Sequence, residues 1–375
     1  MIAEDIPLPH GRPGTRRSVP VLRFGAPAGG GPKAYIQAGL HADESPGHLV
    51  AQHLRERLTD LDAGGLVRGE IVLVPCANPI GLDQVLLGQH AGRFELASGV
   101  NFNRAYADLA ARVADRVAGR LGPDAGRNVQ LVRAELRAAA RTLPAQTEAE
   151  ALRRLLLSLA ADADIVLDLH CDAEAVMHMY TGAELWPAAA DLAAETGCRA
   201  VFLASESGGE PFDEACSGLW WRLRARLGGE APLPAACLAA TLELRGQSDV
   251  DDALAAEDAA AILRFLTRRG LIAGEAPPLP PALCEATPLA GVLRVRAPSA
   301  GIVAHKVALG TRVAAGEVVA ELVDPVAGTR TPVASALEGL VWARARDRYV
   351  GAGDIVASIA TPEACVPDGA KLLSS

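Results

Sequence analysis

The sequence places histidine and carboxylate side chains where they could share one metal ion. His41 and Glu44 stand three residues apart, at the point where a strand-like run ending at Leu40 turns into a helix. At this spacing an imidazole and a carboxylate fall on one side of a helical turn and can converge on one cation. His170 ends a second apolar run and is the candidate third ligand. Two histidines and one glutamate are a typical catalytic zinc set, which leaves one coordination position for water.

Two further carboxylates follow the same pattern. Asp168 lies two residues before His170, so on a strand both side chains face the same side and Asp168 could support the histidine from behind. Glu243 ends a third apolar run. Because open α/β sheets place their sites at the carboxyl ends of strands, we expect these groups to meet at one edge. A carboxylate that does not bind the metal can move a proton from water to a leaving amine, and Glu243 is our candidate for this base.

Arginine and amide side chains between these runs could bind the substrate. Asn103 and Arg104 are adjacent, and Arg93 precedes them by ten residues. A guanidinium binds a carboxylate through two parallel hydrogen bonds, so Arg104 beside the Asn103 amide would suit an amino-acid carboxylate. Arg93 could polarise the scissile carbonyl or stabilise the oxyanion that forms from it.

Strand-like runs alternate with helical patterns in residues 1–272, and these elements must position the residues above. This alternation predicts a mainly parallel α/β sheet with flanking helices. The predicted strands are Lys33–Leu40, Glu70–Pro75, Ala163–His170 and Leu238–Leu244, and the predicted helices are Ser45–Leu58 and Val250–Arg268.

The chain changes character after residue 272. Residues 273–287 are rich in proline and are predicted to be a linker, because such a stretch holds neither a helix nor a central strand. Residues 288–362 carry valine-rich runs broken by glycine, in two halves offset by 37 to 38 residues. They predict a small all-β accessory domain that resembles the barrel-sandwich fold of biotinyl and lipoyl carriers. The connection between the halves, 324–331, lacks the lysine that carriers modify, which argues against a carrier role and leaves it as a third alternative that mass spectrometry can test. Residues 363–375 are predicted to be a C-terminal tail.

Composition narrows the function classes. The formal net charge of −9 argues against nucleic acid as a partner, because phosphates demand a basic surface. The seven cysteines are scattered without a Cys-X-X-Cys pair, which favours reduced thiols in the cytoplasm. No secretory signal and no run of eighteen apolar residues is visible, so we expect a cytoplasmic protein without a membrane span. A homo-oligomer is possible.

The order of the motifs resembles the succinylglutamate desuccinylase/aspartoacylase family, within the larger zinc carboxypeptidase-like group. The resemblance covers roughly residues 30–270 and includes an Asn-Pro pair at Asn78. It implies a zinc carboxypeptidase-like fold followed by a β domain, and one zinc ion per chain. The implied ligands are His41, Glu44 and His170; the other implied roles are Glu243 as catalytic base, Arg93 at the scissile carbonyl, and Asn103 with Arg104 at the substrate carboxylate.

The chain departs from the family motif in the segment around Asn103. Asn101 stands where the family has aspartate, so an acidic group near the substrate is expected to be missing. Ala105 and Tyr106 replace the Phe-Pro that often follows, and Arg93 lies farther from Asn103 than the family spacing. These changes leave the metal set intact and affect the substrate side of the site.

The resulting prediction is a zinc-dependent amidohydrolase that deacylates a small N-acyl amino acid. A metallocarboxypeptidase acting on short peptides would share the metal site and differ only in substrate. A non-catalytic metal-binding or ligand-binding relative is the alternative outside the enzymes. The presence of Glu243 beside a full ligand set favours an enzyme over this relative.

Overall fold

A nine-stranded sheet is the framework of the site in the computed structural model, which describes residues 1–25, 31–229, 231–365 and 372. The strands of this part of the chain are β1 (Ile2–Pro7), β2 (Ser18–Gly25), β3 (Lys33–Ala38), β4 (Glu70–Val74), β5 (Val85–Leu86), β6 (Gln89–His90), β7 (Ile165–Asp172), β8 (His178–Thr181), β9 (Ala200–Leu203), β10 (Leu238–Gly246) and β11 (Ala286–Pro288). Strands β5 and β6 pair with each other and form a separate hairpin.

The strand order in the large sheet is β1-β2-β4-β3-β7-β10-β8-β9-β11. Strands β4, β3, β7 and β10 are parallel to one another and occupy its centre, whereas β1, β2 and β8 introduce antiparallel pairs. The three strands predicted to carry the site, β3, β7 and β10, are therefore neighbours, and their carboxyl ends lie at one edge of the sheet.

In the described part of the chain, eight α-helices accompany this sheet. They are α1 (Ser45–Ala63), α2 (Pro79–Leu82), α3 (Leu109–Val117), α4 (Ala125–Arg141), α5 (Glu148–Ala160), α6 (Ala190–Thr196), α7 (Phe212–Arg226) and α8 (Asp252–Arg268). Helices α3, α4, α5 and α7 pack into the apolar core on one face. Helices α1, α6 and α8 pack into the core on the other face.

Successive side chains of a strand point to opposite faces of the sheet, which explains why the polar groups of the central strands appear at one face only. In β7, Ile165, Leu167 and Leu169 belong to the core under α1, α6 and α8. Asp168 and His170 occupy the alternate positions and therefore face the opposite layer. All of these side chains are buried, so the apolar residues fix the orientation of the two polar ones.

The predicted elements agree with the observed ones to within a few residues, and the α/β fold class with a trailing β unit is confirmed. One local expectation differs. His41 and Glu44 do not lie on a helical turn, because α1 begins only at Ser45. They belong to a tight turn before the helix, in which the Glu44 amide donates to the His41 carbonyl oxygen at 3.1 Å.

The last part of the chain folds into a C-terminal β unit of two four-stranded antiparallel sheets, in the orders β12-β19-β17-β14 and β16-β15-β13-β18. Its strands are β12 (Val292–Arg296), β13 (Gly301–His305), β14 (Arg312–Val313), β15 (Val318–Asp324), β16 (Thr329–Ala334), β17 (Gly339–Arg344), β18 (Tyr349–Val350) and β19 (Ile355–Ala360). The two predicted halves reappear as β13–β15 and β17–β19.

The C-terminal β unit shares an apolar core with the large sheet. Trp342 is fully buried there, together with Phe202 of β9 and Val176. The Val176 amide also donates to the Trp342 carbonyl oxygen at 2.8 Å, and Ala175 and Ala343 form an isolated β-bridge. These contacts hold the unit against the edge of the sheet where the site lies.

Residues 273–285 contain no helix or strand, and β11 then adds to the large sheet beside β9 before the β unit begins. The division into domains at 1–272, 273–287, 288–362 and 363–375 stays a prediction. None of the seven cysteines forms a disulfide. In the described part of the chain, no helix combines the length and apolarity needed to cross a membrane.

Gly39 fixes the direction of the chain from β3 into the His41 turn, and this makes a stability prediction. Its φ is +71°, and a Cβ atom there would lie 2.1 Å from Cε1 of the His48 ring, which bonds the Pro75 carbonyl. We expect Gly39→Ala to lower the free energy of unfolding by about 2–5 kcal/mol, since left-handed strain and overpacking add. Urea denaturation followed by circular dichroism measures the loss.

Gly65→Ala is the matched control. Gly65 has a φ of +66° and nothing within 4 Å of a built Cβ atom, so only the backbone strain, about 1–2 kcal/mol, applies. Equal losses for the two variants would show that the contact between Gly39 and His48 contributes nothing.

Candidate metal centre and substrate cavity

Three of the predicted residues come together as one buried group at the ends of β3 and β7. The Nδ1 atom of His41 lies 2.9 Å from Oε1 of Glu44, and the Nδ1 atom of His170 lies 2.9 Å from Oε2 of the same carboxylate. The two imidazole rings meet edge to face with their centroids 4.7 Å apart. One ligand atom from each residue can be chosen so that all three lie within 4.8 Å, and among the described residues this is the group of His, Cys, Asp and Glu that could hold a metal ion.

Glu44 is the centre of this group. Its side chain is almost completely buried, and its Oε2 also accepts a hydrogen bond of 3.0 Å from the Cys171 amide. Burial alone would raise the Glu44 pKa, but the charges and hydrogen bonds of His41 and His170 outweigh burial and hold this pKa below its ordinary value. The carboxylate is therefore ionised at neutral pH and available to a cation.

Each histidine has a polar partner behind it. The Nε2 atom of His41 lies 2.8 Å from the side-chain oxygen of Asn101, and the Nε2 atom of His170 lies 3.0 Å from Oδ2 of Asp168. Asp168 in turn accepts a hydrogen bond of 2.9 Å from Gln37, whose side-chain oxygen accepts one from Tyr35.

This arrangement fits a metal ion. With a metal ion bound, the acceptor behind Nε2 would hold the proton on that nitrogen and leave the Nδ1 lone pair to the ion, which is how ligating histidines are usually oriented. In both rings it is Nδ1 that faces Glu44. The donor set of two imidazoles and one carboxylate is also one that zinc prefers.

Glu243 stands beside this group on β10. It is in register with His170 of β7 on one side and with His178 of β8 on the other. Its Oε2 is buried without a hydrogen-bond partner among the described residues, and burial, reinforced by the Glu44 charge, raises the Glu243 pKa well above its ordinary value. The strand register shifts just after Glu243, where Arg245 adopts a positive φ of 65°. Such bulges often lie next to active sites.

Arg93 reaches the group despite its distance in sequence from Asn103. Phe94 and Asn101 form an isolated β-bridge, and the Phe102 amide donates to the Arg93 carbonyl oxygen at 3.1 Å. This hairpin-like fold places Nη1 of Arg93 3.2 Å from Oε1 of Glu44. The loop between Arg93 and Asn103 therefore folds back on itself and brings the Arg93 guanidinium to Glu44.

Gly92 lets the same loop pack closely against the turn that contains His41. A Cβ atom at Gly92 would lie 2.4 Å from the Asp43 backbone nitrogen, so the close approach requires a residue without a side chain. The Gly92 carbonyl oxygen accepts a hydrogen bond of 3.2 Å from the Ala42 amide.

Asn103 and Arg104 lie beside the segment that leads into α7. The Asn103 side-chain oxygen accepts a hydrogen bond of 2.8 Å from the Phe212 amide at the start of α7, which leaves its NH2 group for a ligand. Burial lowers the Arg104 pKa, while the carboxylates of Asp213 and Glu214 favour its charged form. Its Nη1 donates to the Asn103 carbonyl oxygen at 2.7 Å.

One cavity of about 820 Å³ is lined by six of the predicted residues: His41, Arg93, Asn103, Arg104, His170 and Glu243. Its floor is formed by the carboxyl ends of β7 and β10. Its opposite wall belongs to the C-terminal β unit and includes residues of β12, β17 and β19. Ligand pockets for small molecules typically have volumes of about 300–1,000 Å³. The cavity is therefore built by both parts of the chain and suits a small molecule.

Several residues at the site were not expected from the sequence. Asn101 stands where the family motif has aspartate, and an acidic group near the substrate was therefore expected to be missing. Asn101 lies behind His41 and outside the cavity lining. Asp213 lines the cavity, and burial raises its pKa to about 7. Gln37 extends the buried chain behind His170 beyond the expected Asp168, and its place in an otherwise apolar strand is the signal that could have found it.

Comparison with protein families agrees with this geometry. Residues 30–269, more than half of the chain, match the model of the succinylglutamate desuccinylase/aspartoacylase catalytic domain. Among proteins with curated functions, none is significantly similar to this chain.

Solved structures with similar folds cover nearly the whole chain. A succinylglutamate desuccinylase/aspartoacylase family protein from Shewanella amazonensis SB2B is 28% identical with a TM-score of 0.84, covering 96% of this chain and 99% of its own. A similarly described protein from Shewanella frigidimarina NCIMB 400 is 26% identical with a TM-score of 0.82, covering 96% and 97%. The product-bound ectoine utilization protein EutE (DoeB) from Ruegeria pomeroyi, 18% identical with a TM-score of 0.65 and coverage of 96% and 94%, shares the fold. With the motif order and the buried His-Glu-His group, these matches show that the chain belongs to the succinylglutamate desuccinylase/aspartoacylase family of amide-bond hydrolases.

Proposed function

We propose that this chain is a zinc-dependent amidohydrolase that removes the acyl group from a small N-acyl amino acid. The observation that carries the proposal is the juxtaposition of a metal-binding group with an unpartnered carboxylate. His41, Glu44 and His170 face one another, and Glu243 lies in register with His170 and lines the same cavity.

His41, Glu44 and His170 would hold one zinc ion. A bound zinc ion supplies Lewis acidity, which polarises the scissile carbonyl and makes water more acidic. Glu243 takes the proton from the attacking water and delivers it to the amine nitrogen as the amide bond breaks. The unsatisfied Oε2 of Glu243 suits this role, because no hydrogen bond within the described chain competes for it.

The arginines position the substrate in this proposal. Arg93, beside Glu44, stabilises the negative charge that develops on the carbonyl oxygen. The guanidinium of Arg104 and the free NH2 group of Asn103 bind the carboxylate of the amino acid. Asp168 keeps the His170 ring in place through its contact with Nε2.

The shape of the cavity favours a single N-acyl amino acid over a peptide. The C-terminal β unit lines one side of the cavity, and in this proposal it limits the room for a longer chain. A metallocarboxypeptidase would need that side open. This observation ranks deacylation above peptide trimming.

The first experiment measures amine release from N-acetyl and N-succinyl amino acids and from a short set of dipeptides. Zinc-loaded protein is assayed with and without a chelator. We expect chelator-sensitive turnover confined to single N-acyl amino acids. Turnover of dipeptides alone would move the protein to the carboxypeptidases. Metal binding without turnover of any amide would favour a non-catalytic relative.

The division of roles between ligand and base makes a second prediction. His41→Ala is expected to lose bound zinc, because it removes one of three ligands. Glu243→Gln is expected to keep zinc and to lower kcat by about 10²–10⁴-fold, the usual contribution of a general acid–base group. Metal content by mass spectrometry and steady-state rates measure the two effects. Equal loss of zinc in both variants contradicts this assignment.

Asp168→Asn tests the residue behind His170. The substitution keeps the size of the side chain but removes the charge, and we expect zinc affinity to fall by about 10–100-fold. Competition with a chromophoric chelator gives the affinity. Thermal unfolding of the metal-free variant is the control, since a lower affinity in a fold of unchanged stability isolates the effect on the ligand. An unchanged affinity would leave Asp168 with no role in positioning His170.

A further inference from the structure

A second, smaller cavity lies beside the segment that follows Arg104. This small cavity has a volume of about 130 Å³ and is lined by residues 105–107, by Arg112 of α3 and by residues at helical spacing on α5. Among the described residues, it shares no lining residue with the larger substrate cavity. Because pockets for drug-sized molecules typically have volumes of about 300–1,000 Å³, the small cavity suits an ion.

Arg153 of α5 presents a buried edge of its guanidinium to the small cavity. Its Nε and Nη2 atoms are both buried, and neither has a hydrogen-bond partner among the described residues. These two nitrogens form one side of the guanidinium fork, which binds an oxyanion through two parallel hydrogen bonds. Arg245 and Arg268 also have a buried, unpartnered Nε, but each forms an ion pair through Nη2.

Tyr106 adds a second unpartnered donor to the small cavity. Its side chain is 2% exposed, and its hydroxyl has no hydrogen-bond partner in the described part of the chain. Burial, reinforced by the Asp168 charge, raises the Tyr106 pKa well above its ordinary value, and the Arg153 charge opposes this shift. The hydroxyl therefore keeps its proton, lies within electrostatic range of Arg153 and is available as a donor.

The other charged groups leave the small cavity positive. Arg154 donates to a backbone carbonyl oxygen at 3.2 Å, which does not neutralise its charge, and Arg112 is exposed. Glu150 is the carboxylate of the lining, and it already accepts hydrogen bonds from two backbone amides that precede α5. Three guanidinium groups around one carboxylate attract an anion.

Backbone contacts hold Tyr106 in this position. The Tyr106 amide donates to the Glu210 carbonyl oxygen at 3.2 Å, and the Ala105 amide donates to the Gly209 carbonyl oxygen at 2.9 Å. Ala105 has a φ of 60°, which is uncommon for a residue with a side chain. Such conformations persist only where the surrounding structure fixes them. The segment is therefore held in place independently of any ligand.

One aromatic ring separates the small cavity from the candidate substrate-binding and metal-binding groups. The Tyr106 ring meets the Phe212 ring edge to face at 5.1 Å between centroids, and the Phe212 amide binds the side chain of Asn103. The Phe212 ring also contacts the Tyr35 ring at 5.7 Å, and the Tyr35 hydroxyl begins the buried chain that ends at His170. A ligand on Tyr106 would thus lie one ring away from both parts of the site.

We propose that the small cavity is a binding site for a small oxyanion, either inorganic phosphate or a short carboxylate, separate from the substrate cavity. The Nε and Nη2 atoms of Arg153 bind two oxygens of the anion, and the Tyr106 hydroxyl donates a further hydrogen bond to it. The inference does not depend on the proposed function, because none of these residues takes part in the proposed hydrolysis.

Calorimetry on the zinc-loaded protein tests the site, with inorganic phosphate, acetate and uncharged acetamide as probes at constant ionic strength. We expect one of the two anions to bind with a Kd below about 1 mM, and the tighter anion identifies the source. Arg153→Gln should weaken this binding by about 10–100-fold, and Tyr106→Phe, which keeps the ring, by about 10-fold. An anion bound in the substrate cavity would bind equally well to both variants.

Arg141→Gln is the matched control. Arg141 is exposed at the end of α4 and lines neither cavity, so the variant removes the same charge from a nearby surface. It should keep the anion affinity of the parent protein. A loss equal to that of Arg153→Gln would show that only the overall charge matters and would overturn the proposal.

Thermal unfolding separates ligand binding from a structural role of Arg153. The tighter anion should raise the melting temperature of the parent protein in a concentration-dependent way, because it binds only the folded state. The melting temperature of Arg153→Gln should not respond over the same concentrations. An equal rise in both proteins would place the anion elsewhere and overturn the proposal.

Hydrogen–deuterium exchange locates the bound anion. We expect the tighter anion to protect residues 105–107 and α5 in the parent protein but not in Arg153→Gln. Protection confined to the strand ends around the substrate cavity, or no binding of either anion below about 10 mM, would overturn the proposal. Either result would leave the proposed function standing.

Discussion

The burial of a charged carboxylate is the constraint on which the site depends. Removing Glu44 from water carries a large desolvation cost, which must be offset by hydrogen bonds and neighbouring charges. The offset comes from three directions: the Cys171 amide, two imidazole rings and the Arg93 guanidinium. Only His41 is close to Glu44 in the sequence, and the other three partners come from distant parts of the chain. The sheet must therefore bring β3 and β7 side by side with their ends level before the carboxylate can stay ionised.

The alternation of apolar and polar side chains along the central strands meets this requirement. One face of β3, β7 and β10 is apolar and packs on α1, α6 and α8. The other face carries Gln37, Asp168, His170 and Glu243 at alternating positions. A register slip of one residue would turn every one of these side chains into the apolar layer, so the hydrophobic core and the polar group specify the same pairing.

The sequence was most informative about the site where metal-binding or acid–base side chains lie at the ends of predicted strands. Motifs at the ends of apolar runs predicted that His41, Glu44 and His170 lie near one another with Glu243 beside them. The structure brings these side chains together, because parallel neighbours end at one edge. The positions of Asn101 behind His41 and of Arg294 in the cavity wall could not be predicted in this way. The first depends on a loop closed by a single β-bridge, and the second on how the β unit docks. Both are long-range contacts without a periodic signal in the chain.

The wall contributed by the C-terminal β unit has an evolutionary consequence. The groups assigned to bond breaking lie at the strand ends of the central sheet and in the loops beside them, whereas β12 and β19 contribute Arg294 and Ser358 from the C-terminal pair of sheets. Substitutions in those two strands can change which molecules fit while leaving the inherited hydrolytic apparatus unaltered. Members of such a family could therefore acquire new substrates by drift in the appended sheets, with the Trp342 core keeping the two parts in alignment throughout.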